Sequence, residues 1–162
     1  MKIGYDIYKS PIGIIAVVVD EVGVRKIELE EEKWKEYLNK NKFLKRDREL
    51  CKETITELNE YFKGKRKKFN LKLSIEGTEF RKKVWSELEN IPYGETRSYS
   101  QIAENIGKPK AVRAIGQANK ANNIPIIIPC HRVIGKNGNL TGFLGKKIGI
   151  KEYLLNHEKN NL

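Results

Sequence analysis

Cysteine and histidine are scarce in this 162-residue chain, with two of each. Cys51 and Cys130 lie far apart, no Cys-x-x-Cys occurs, and the histidines are His131 and His157. A structural zinc site draws four such ligands together at short spacing, so no metal or other cofactor is expected. No apolar run approaches the roughly 20 residues that cross a bilayer. The first residues, Met1-Lys2-Ile3-Gly4-Tyr5, lack the apolar core of a signal peptide. A cytoplasmic protein with reduced thiols and no membrane partner is therefore expected. Acidic residues are also in deficit: 21 Asp and Glu face 32 Lys and Arg, for a net charge of +11. The excess is +4 up to Glu76 and +7 after it. A basic surface points to a polyanionic partner, although the same composition also serves solubility.

The pattern along the chain predicts an α+β protein in two lobes, residues 1–76 and 77–162. Residues 3–8 and 12–30 read as an antiparallel meander, with turns at Pro11-Ile12-Gly13 and Asp20–Gly23. A short helix is expected within Glu30–Arg46 and a longer one over Asp47–Phe62, where Leu50, Ile55, Leu58, Tyr61 and Phe62 share a face. Cys51 lies in that helix and reads as packing. Phe69–Ile75 alternates apolar and polar residues and predicts a further strand. The second lobe opens with Thr78 capping a helix that carries Phe80, Val84, Trp85 and Leu88. Ser98 caps a second helix, Tyr99–Asn105, ended by Gly107, and a third runs about Lys110–Lys120. This pair matches a helix-turn-helix.

The chemistry concentrates in Ile126-Ile127-Ile128-Pro129-Cys130-His131-Arg132. Three isoleucines between prolines predict a short buried strand. A thiol followed by an imidazole and a cation is the setting in which a thiolate nucleophile forms. Adjacent strand residues point to opposite faces, so Cys130 and His131 cooperate only if the chain turns there or a water bridges them. The dipeptide alone fits a buried, inert cysteine better than a catalytic one.

The longer stretch Ile124–Ile134 resembles the active-site signature of the O6-alkylguanine-DNA alkyltransferases, also called methylated-DNA–protein-cysteine methyltransferases. The resemblance extends over Phe80–Trp85, Pro92–Tyr99, Arg113–Gly116, Asn122 and Lys151–Glu158. It implies a ribonuclease H-like first lobe, a DNA-binding second lobe, and a monomer acting on double-stranded DNA that contains O6-alkylguanine. It further implies a nucleophile, Cys130, a base, His131, acting through a water, and Glu158 fixing the imidazole. Tyr99 would serve the leaving guanine, and Asn122 would order the turn before the cysteine. Arg113 would fill the gap left by a flipped nucleotide, with Lys110, Ala114, Lys120, Tyr99 and Arg132 on the DNA. Pro125, Asn119, Leu140 and Thr141 would line the base pocket. Two departures stand out: Asn122-Asn123 where relatives have Asn-Pro, and a glycine-poor loop, Thr141–Lys147, with two lysines. The alternatives are a helix-turn-helix protein that recognises lesions without chemistry, which the cysteine argues against, and a cysteine hydrolase, for which no oxyanion-hole motif is evident.

Overall fold

The apolar run Ile14–Val19 becomes the middle strand of a three-stranded sheet. β1 (Ile3–Ser10), β2 (Gly13–Asp20) and β3 (Val24–Glu28) pair antiparallel in that order, with Ile3 opposite Asp20 and Ser10 opposite Gly13. The computed structural model describes residues 2–136, 138 and 148–162. It divides into two compact units, Met1–Ile75 and Glu76–Leu162.

In the first unit every residue of β2 from Ile15 to Asp20 is buried. Alternation sends Ala16 and Val18 to one side and Ile15, Val17 and Val19 to the other, so both faces of the strand are covered and its sequence reads as a continuous apolar run. Ala16 and Val18 pack with Trp34 of α1 (Glu31–Lys40) and with Leu44. α2 (Arg48–Phe62) packs on β1 and β2 through Cys51, Thr54, Leu58, Tyr61 and Phe62. Its N-cap is Asp47, whose carboxylate accepts from Leu50 N at 3.0 Å. Gly23 is required at the second turn because a Cβ there would lie 2.2 Å from the Lys72 carbonyl oxygen. That close approach also corrects the strand expected over Phe69–Ile75. Only one parallel bridge forms, Leu73 with Val24, where Val24 N donates to Lys72 O (2.9 Å) and Ser74 N to Val24 O (2.7 Å). Alternation records one-sided burial, whereas a ladder needs a partner edge along its whole length.

The second unit is mostly helical, and the α+β class holds. Thr78 Oγ1 accepts from Arg81 N at 3.2 Å to start α3 (Glu79–Leu88), which buries Val84, Trp85 and Leu88. Ser98 and Gln101 form a reciprocal capping box at the start of α4 (Tyr99–Asn105). Gly107, at φ +76°, ends the helix in a conformation that other residues resist. α5 (Val112–Lys120) begins two residues later than expected, with Ala111 as its cap. The Trp85 indole donates to Ala118 O at 2.8 Å and ties α3 to α5. A two-residue parallel pair, β4 (Arg97–Ser98) with β5 (Val133–Ile134), sets the start of α4 beside the end of the cysteine motif. The last helix, α6 (Ile148–Asn160), buries Lys151, Leu154 and Glu158. Among the described residues no helix is long and apolar enough to cross a membrane.

Ile126–Ile128 is buried as expected, but it is not a strand. The chain reverses there: Pro125 and Ile128 form a bridge and Ile128 N donates to Ile124 O at 2.9 Å. Ile126 sits at φ +74°, the left-handed region that a β-branched residue adopts at a cost of about 1–3 kcal/mol. Asn122 holds the turn from inside. Its Oδ1 accepts from Ile124 N and its Nδ2 donates to Ile128 O, both at 2.9 Å. One side chain thereby satisfies backbone groups that a strand would have paired with a neighbour.

Candidate active site

The turn continues into a single 3-10 turn, Cys130–Arg132, in which Cys130 N donates to Ile128 O (2.7 Å) and Arg132 N to Pro129 O (3.0 Å). Consecutive residues therefore do not alternate faces, and Cys130 and His131 are both fully buried in the same part of the unit.

Glu158, reaching in from α6, organises the charges. The His131 Nε2–H donates to Glu158 Oε2 at 2.6 Å, which leaves Nδ1 as the acceptor nitrogen of a neutral ring. Arg132 donates to the same carboxylate through Nε (2.8 Å) and Nη2 (3.1 Å), and through Nη1 to Ile91 O (2.7 Å). Burial alone would raise the Glu158 carboxyl, but His131 and Arg132 together hold it well below the usual carboxylate range. Burial lowers His131, with Arg132 and Lys151 adding to that effect and Glu158 opposing it, so the imidazole is neutral near neutrality. Its Nδ1 is buried with no hydrogen-bond partner among the described residues. A neutral imidazole anchored at one nitrogen and open at the other is built to take a proton.

Cys130 itself is a thiol at rest. Burial pushes it up to about 11, against the pull of the Asn122 amide, the Lys151 charge and nearby backbone N–H groups. Tyr99, the first residue of α4, is pushed up to about 12 by burial and by Cys130, so it remains a phenol and a donor. Asn119, on the buried face of α5, donates to Cys130 O at 3.4 Å, and its amide also lies at the Tyr99 hydroxyl. Pro125 is buried at the base of the Asn122 turn. Leu140 and Thr141 lie outside the described residues, as does the rest of the Thr141–Lys147 loop.

The residues expected on DNA divide in two. Lys110, Arg113, Ala114 and Lys120 are exposed at and along α5, beside Val112 and Gln117. Arg132 is a correction: it is 7% exposed and its guanidinium is committed to Glu158 and Ile91, so it is part of the charge network and has no free face for a phosphate. Its adjacency to the motif suggested an outward cation, but a 3-10 turn sends it inward. Lys151 was not foreseen as a site residue. It is fully buried, its Nζ donates to Val133 O, and it lies 6.0 Å from the Tyr99 ring centroid. Its signal was present: Lys151, Leu154 and Glu158 follow the i, i+3, i+7 spacing of a buried helical stripe, on which two charged residues are anomalous.

A buried thiol, an imidazole anchored by Glu158, a phenol and an exposed basic helix thus occur in one unit. Comparison with known proteins gives the family of the chain. Residues 79–160 match the model of the 6-O-methylguanine DNA methyltransferase DNA-binding domain, and residues 3–75 that of its ribonuclease-like domain. The chain belongs to the 6-O-methylguanine DNA methyltransferase family. A constitutive methylated-DNA–protein-cysteine methyltransferase of Bacillus subtilis is 48% identical, over 96% of this chain and 94% of that protein. A methylated-DNA–protein-cysteine methyltransferase of Methanosarcina barkeri is 47% identical, over 98% of each. The crystal structure of Mycobacterium tuberculosis O6-methylguanine methyltransferase superimposes with a TM-score of 0.90 at 39% identity, covering 99% of this chain and 94% of that one. The M. tuberculosis OGT in complex with DNA gives 0.87 at 39% identity, over 98% and 94%. Methyltransferases of this family are thus similar to the chain in both units.

Proposed function

We propose that Cys130 is the acceptor in this chain's DNA repair reaction, taking the alkyl group from O6-alkylguanine in double-stranded DNA and restoring guanine in one irreversible turnover. Alkyl transfer from DNA to a protein cysteine is the activity of the family. The observation that carries the assignment to Cys130 is the neighbouring imidazole, fixed by Glu158 at Nε2 and open at Nδ1. Among the described residues Cys51 has no such neighbour.

The thiol proton passes through a water to His131 Nδ1, and Glu158 stabilises the imidazolium. The sulfur lone pair attacks the alkyl carbon, an S–C bond forms, and the C–O bond breaks. Its electron pair stays with guanine, which takes a proton from the Tyr99 phenol. The proton held by the His131 imidazolium then returns to the phenolate through water, so both side chains end neutral and the thiol proton is in effect transferred to guanine. The target oxygen lies within the base stack of a duplex, so the nucleotide has to be flipped out. Arg113 fills the gap from the exposed face of α5, where Lys110, Lys120 and the small Ala114 meet the backbone. Pro125 and Asn119 border the base. A thioether does not return to a thiol at neutral pH, so each molecule acts once, as a cytoplasmic monomer.

Incubation with a duplex carrying one O6-methylguanine, followed by peptide mass spectrometry, tests this. A methyl mass on the Cys130 peptide with guanine restored is expected; a methyl mass elsewhere, or several lesions repaired per molecule, overturns it.

A further inference from the structure

Among the described residues the exposed aromatic side chains are Tyr153, at 37%, and Phe43, at 65%. Phe43 lies in the connection between α1 and α2. Between Lys40 and Arg48 this stretch sets Lys40, Lys42, Lys45, Arg46 and Arg48 against one carboxylate, Asp47, and all of these cations are exposed. The Asp47 carboxylate is taken by Leu50 N as the cap of α2, and Arg46 Nε donates to Asp6 Oδ1 at 2.8 Å. Lys40, Lys42, Lys45 and Arg48 make no ion pair among the described residues.

The connection is tied down on both sides of Phe43. Asn41 Nδ2 donates to Tyr37 O at 2.8 Å, and Leu44 N donates to Asn41 O at 2.9 Å, closing a turn with Lys42 and Phe43 at its tip. Leu44 enters the core with Trp34, Ala16 and Val18. Beyond it the chain pairs on the outer edge of β1, where Tyr5 N donates to Lys45 O (3.1 Å) and Asp47 N to Tyr5 O (2.8 Å). Turn tips favour Gly, Asn, Asp, Ser or Pro, and the core already has its apolar anchor in Leu44. Neither the turn nor the packing asks for an aromatic ring at Phe43. The other basic run of this unit, Lys63–Lys68, displays no ring. Phe62 before it is buried, and Phe69 after it packs on Tyr61 with ring centroids 5.6 Å apart.

We propose that the Asn41–Leu44 turn is a contact for single-stranded DNA in the first unit: Phe43 stacks on one unpaired base, while Lys40, Lys42, Lys45 and Arg48 meet the flanking phosphates. This contact is separate from alkyl transfer and does not depend on which residue accepts the alkyl group. Cations alone would serve a duplex and a single strand alike. The ring selects between them, because base faces are covered by their neighbours in a duplex and open in a strand. Every base has such a face, so the contact has little sequence preference. The strand is DNA because the family acts on DNA.

The test is fluorescence anisotropy on the full chain with a labelled, lesion-free thymidine strand of about 12 nucleotides, within the usual site size, and with a lesion-free duplex of the same length. Phe43→Ala should weaken strand binding about fivefold or more, the effect of removing one stacking ring. Its duplex binding, single-turnover transfer and melting temperature should stay near wild type. Phe43→Trp should bind the strand at least as well as the wild type, with added indole fluorescence that is quenched on binding. Lys42→Gln combined with Lys45→Gln should reduce the slope of log affinity against log salt by about 1.4, at roughly 0.7 per phosphate contact on a single strand. Ultraviolet irradiation of the wild-type complex should place a thymine adduct on the peptide carrying Phe43. Unchanged strand affinity in Phe43→Ala overturns the proposal, as do equal losses on strand and duplex, or adducts confined to residues 77–162. A Phe43-dependent preference for the matching uridine strand would make the ligand RNA and also overturns it. So does Phe43-dependent binding to phosphatidylserine vesicles with strand affinity unchanged, which would assign the turn to a lipid surface.

Discussion

Both cysteines are completely buried, and burial raises both thiols, Cys51 to about 12 and Cys130 to about 11. Their surroundings differ in sign. The Cys51 sulfur lies 3.8 Å from Gly4 O and 3.9 Å from Val17 O, and the carboxylates of Asp6 and Asp47 push it further from ionisation. Cys130 has an amide donor, backbone N–H groups and an ammonium pulling the other way, with an open imidazole nitrogen next in the chain. Burial by itself makes any thiol inert. What separates a packing cysteine from a reactive one is which charges are buried with it.

The largest effect should come from deleting one sulfur and then the other. Cys130→Ser should lower transfer by at least about 10³-fold, since a serine hydroxyl is a far poorer nucleophile at neutral pH. DNA binding should persist, read by fluorescence anisotropy on the same duplex. Cys51→Ser should transfer at nearly the wild-type rate. A large loss with Cys51→Ser, or retained transfer with Cys130→Ser, would reverse the roles drawn here.

Glu158→Gln strikes the network that only Cys130 has. It leaves Arg132 buried without its counter-charge and lets His131 change tautomer. Breaking a buried ion pair from one side costs about 3–5 kcal/mol, so thermal melting should fall clearly and transfer should slow. A variant as stable as the wild type would show that the network contributes little to the fold.

Arg113→Ala should leave the sulfur's surroundings untouched and affect access to the base. Repair of duplex DNA should slow about tenfold or more, because unstacking a base costs a few kcal/mol, while reaction with free O6-methylguanine base stays near wild type. Equal slowing on both substrates would place Arg113 in the pocket.

The smallest effect is on stability against pH. His131 has a folded-state pKa lowered from 6.5, so the unfolded chain binds the proton first and stability falls as pH drops below about 6.5. Glu158 is also depressed, and its contribution is lost in the same direction below about 4.5. Urea midpoints measured from pH 7.5 to 5 should fall in the wild type and fall less in a His131→Gln variant. Parallel curves would show that other groups carry the acid sensitivity.

Much of this protein was legible in one dimension. Apolar periodicity placed the meander and the helices, and Thr78, Ser98 and Gly107 marked helix ends because capping is settled within three or four residues. The order Pro-Cys-His-Arg singled out the proposed nucleophile and its proposed base. The exposed cations of α5 were readable too, since Ile115, Ala118 and Asn119 turn the other face inward. Three features belong to the tertiary structure alone. The isoleucine run became a turn because Asn122 accepts from Ile124 N ahead of it and donates to Ile128 O at its end, with Ile126 at positive φ between them. Arg132 turned inward because its carboxylate, Glu158, arrives from 26 residues away. Lys151 came to the end of the cysteine motif because α6 carries it to Val133 O, 18 residues back along the chain. Composition and spacing tell which residues are charged or buried. Which charge meets which atom depends on how distant segments pack, and at a buried thiol that meeting separates chemistry from packing.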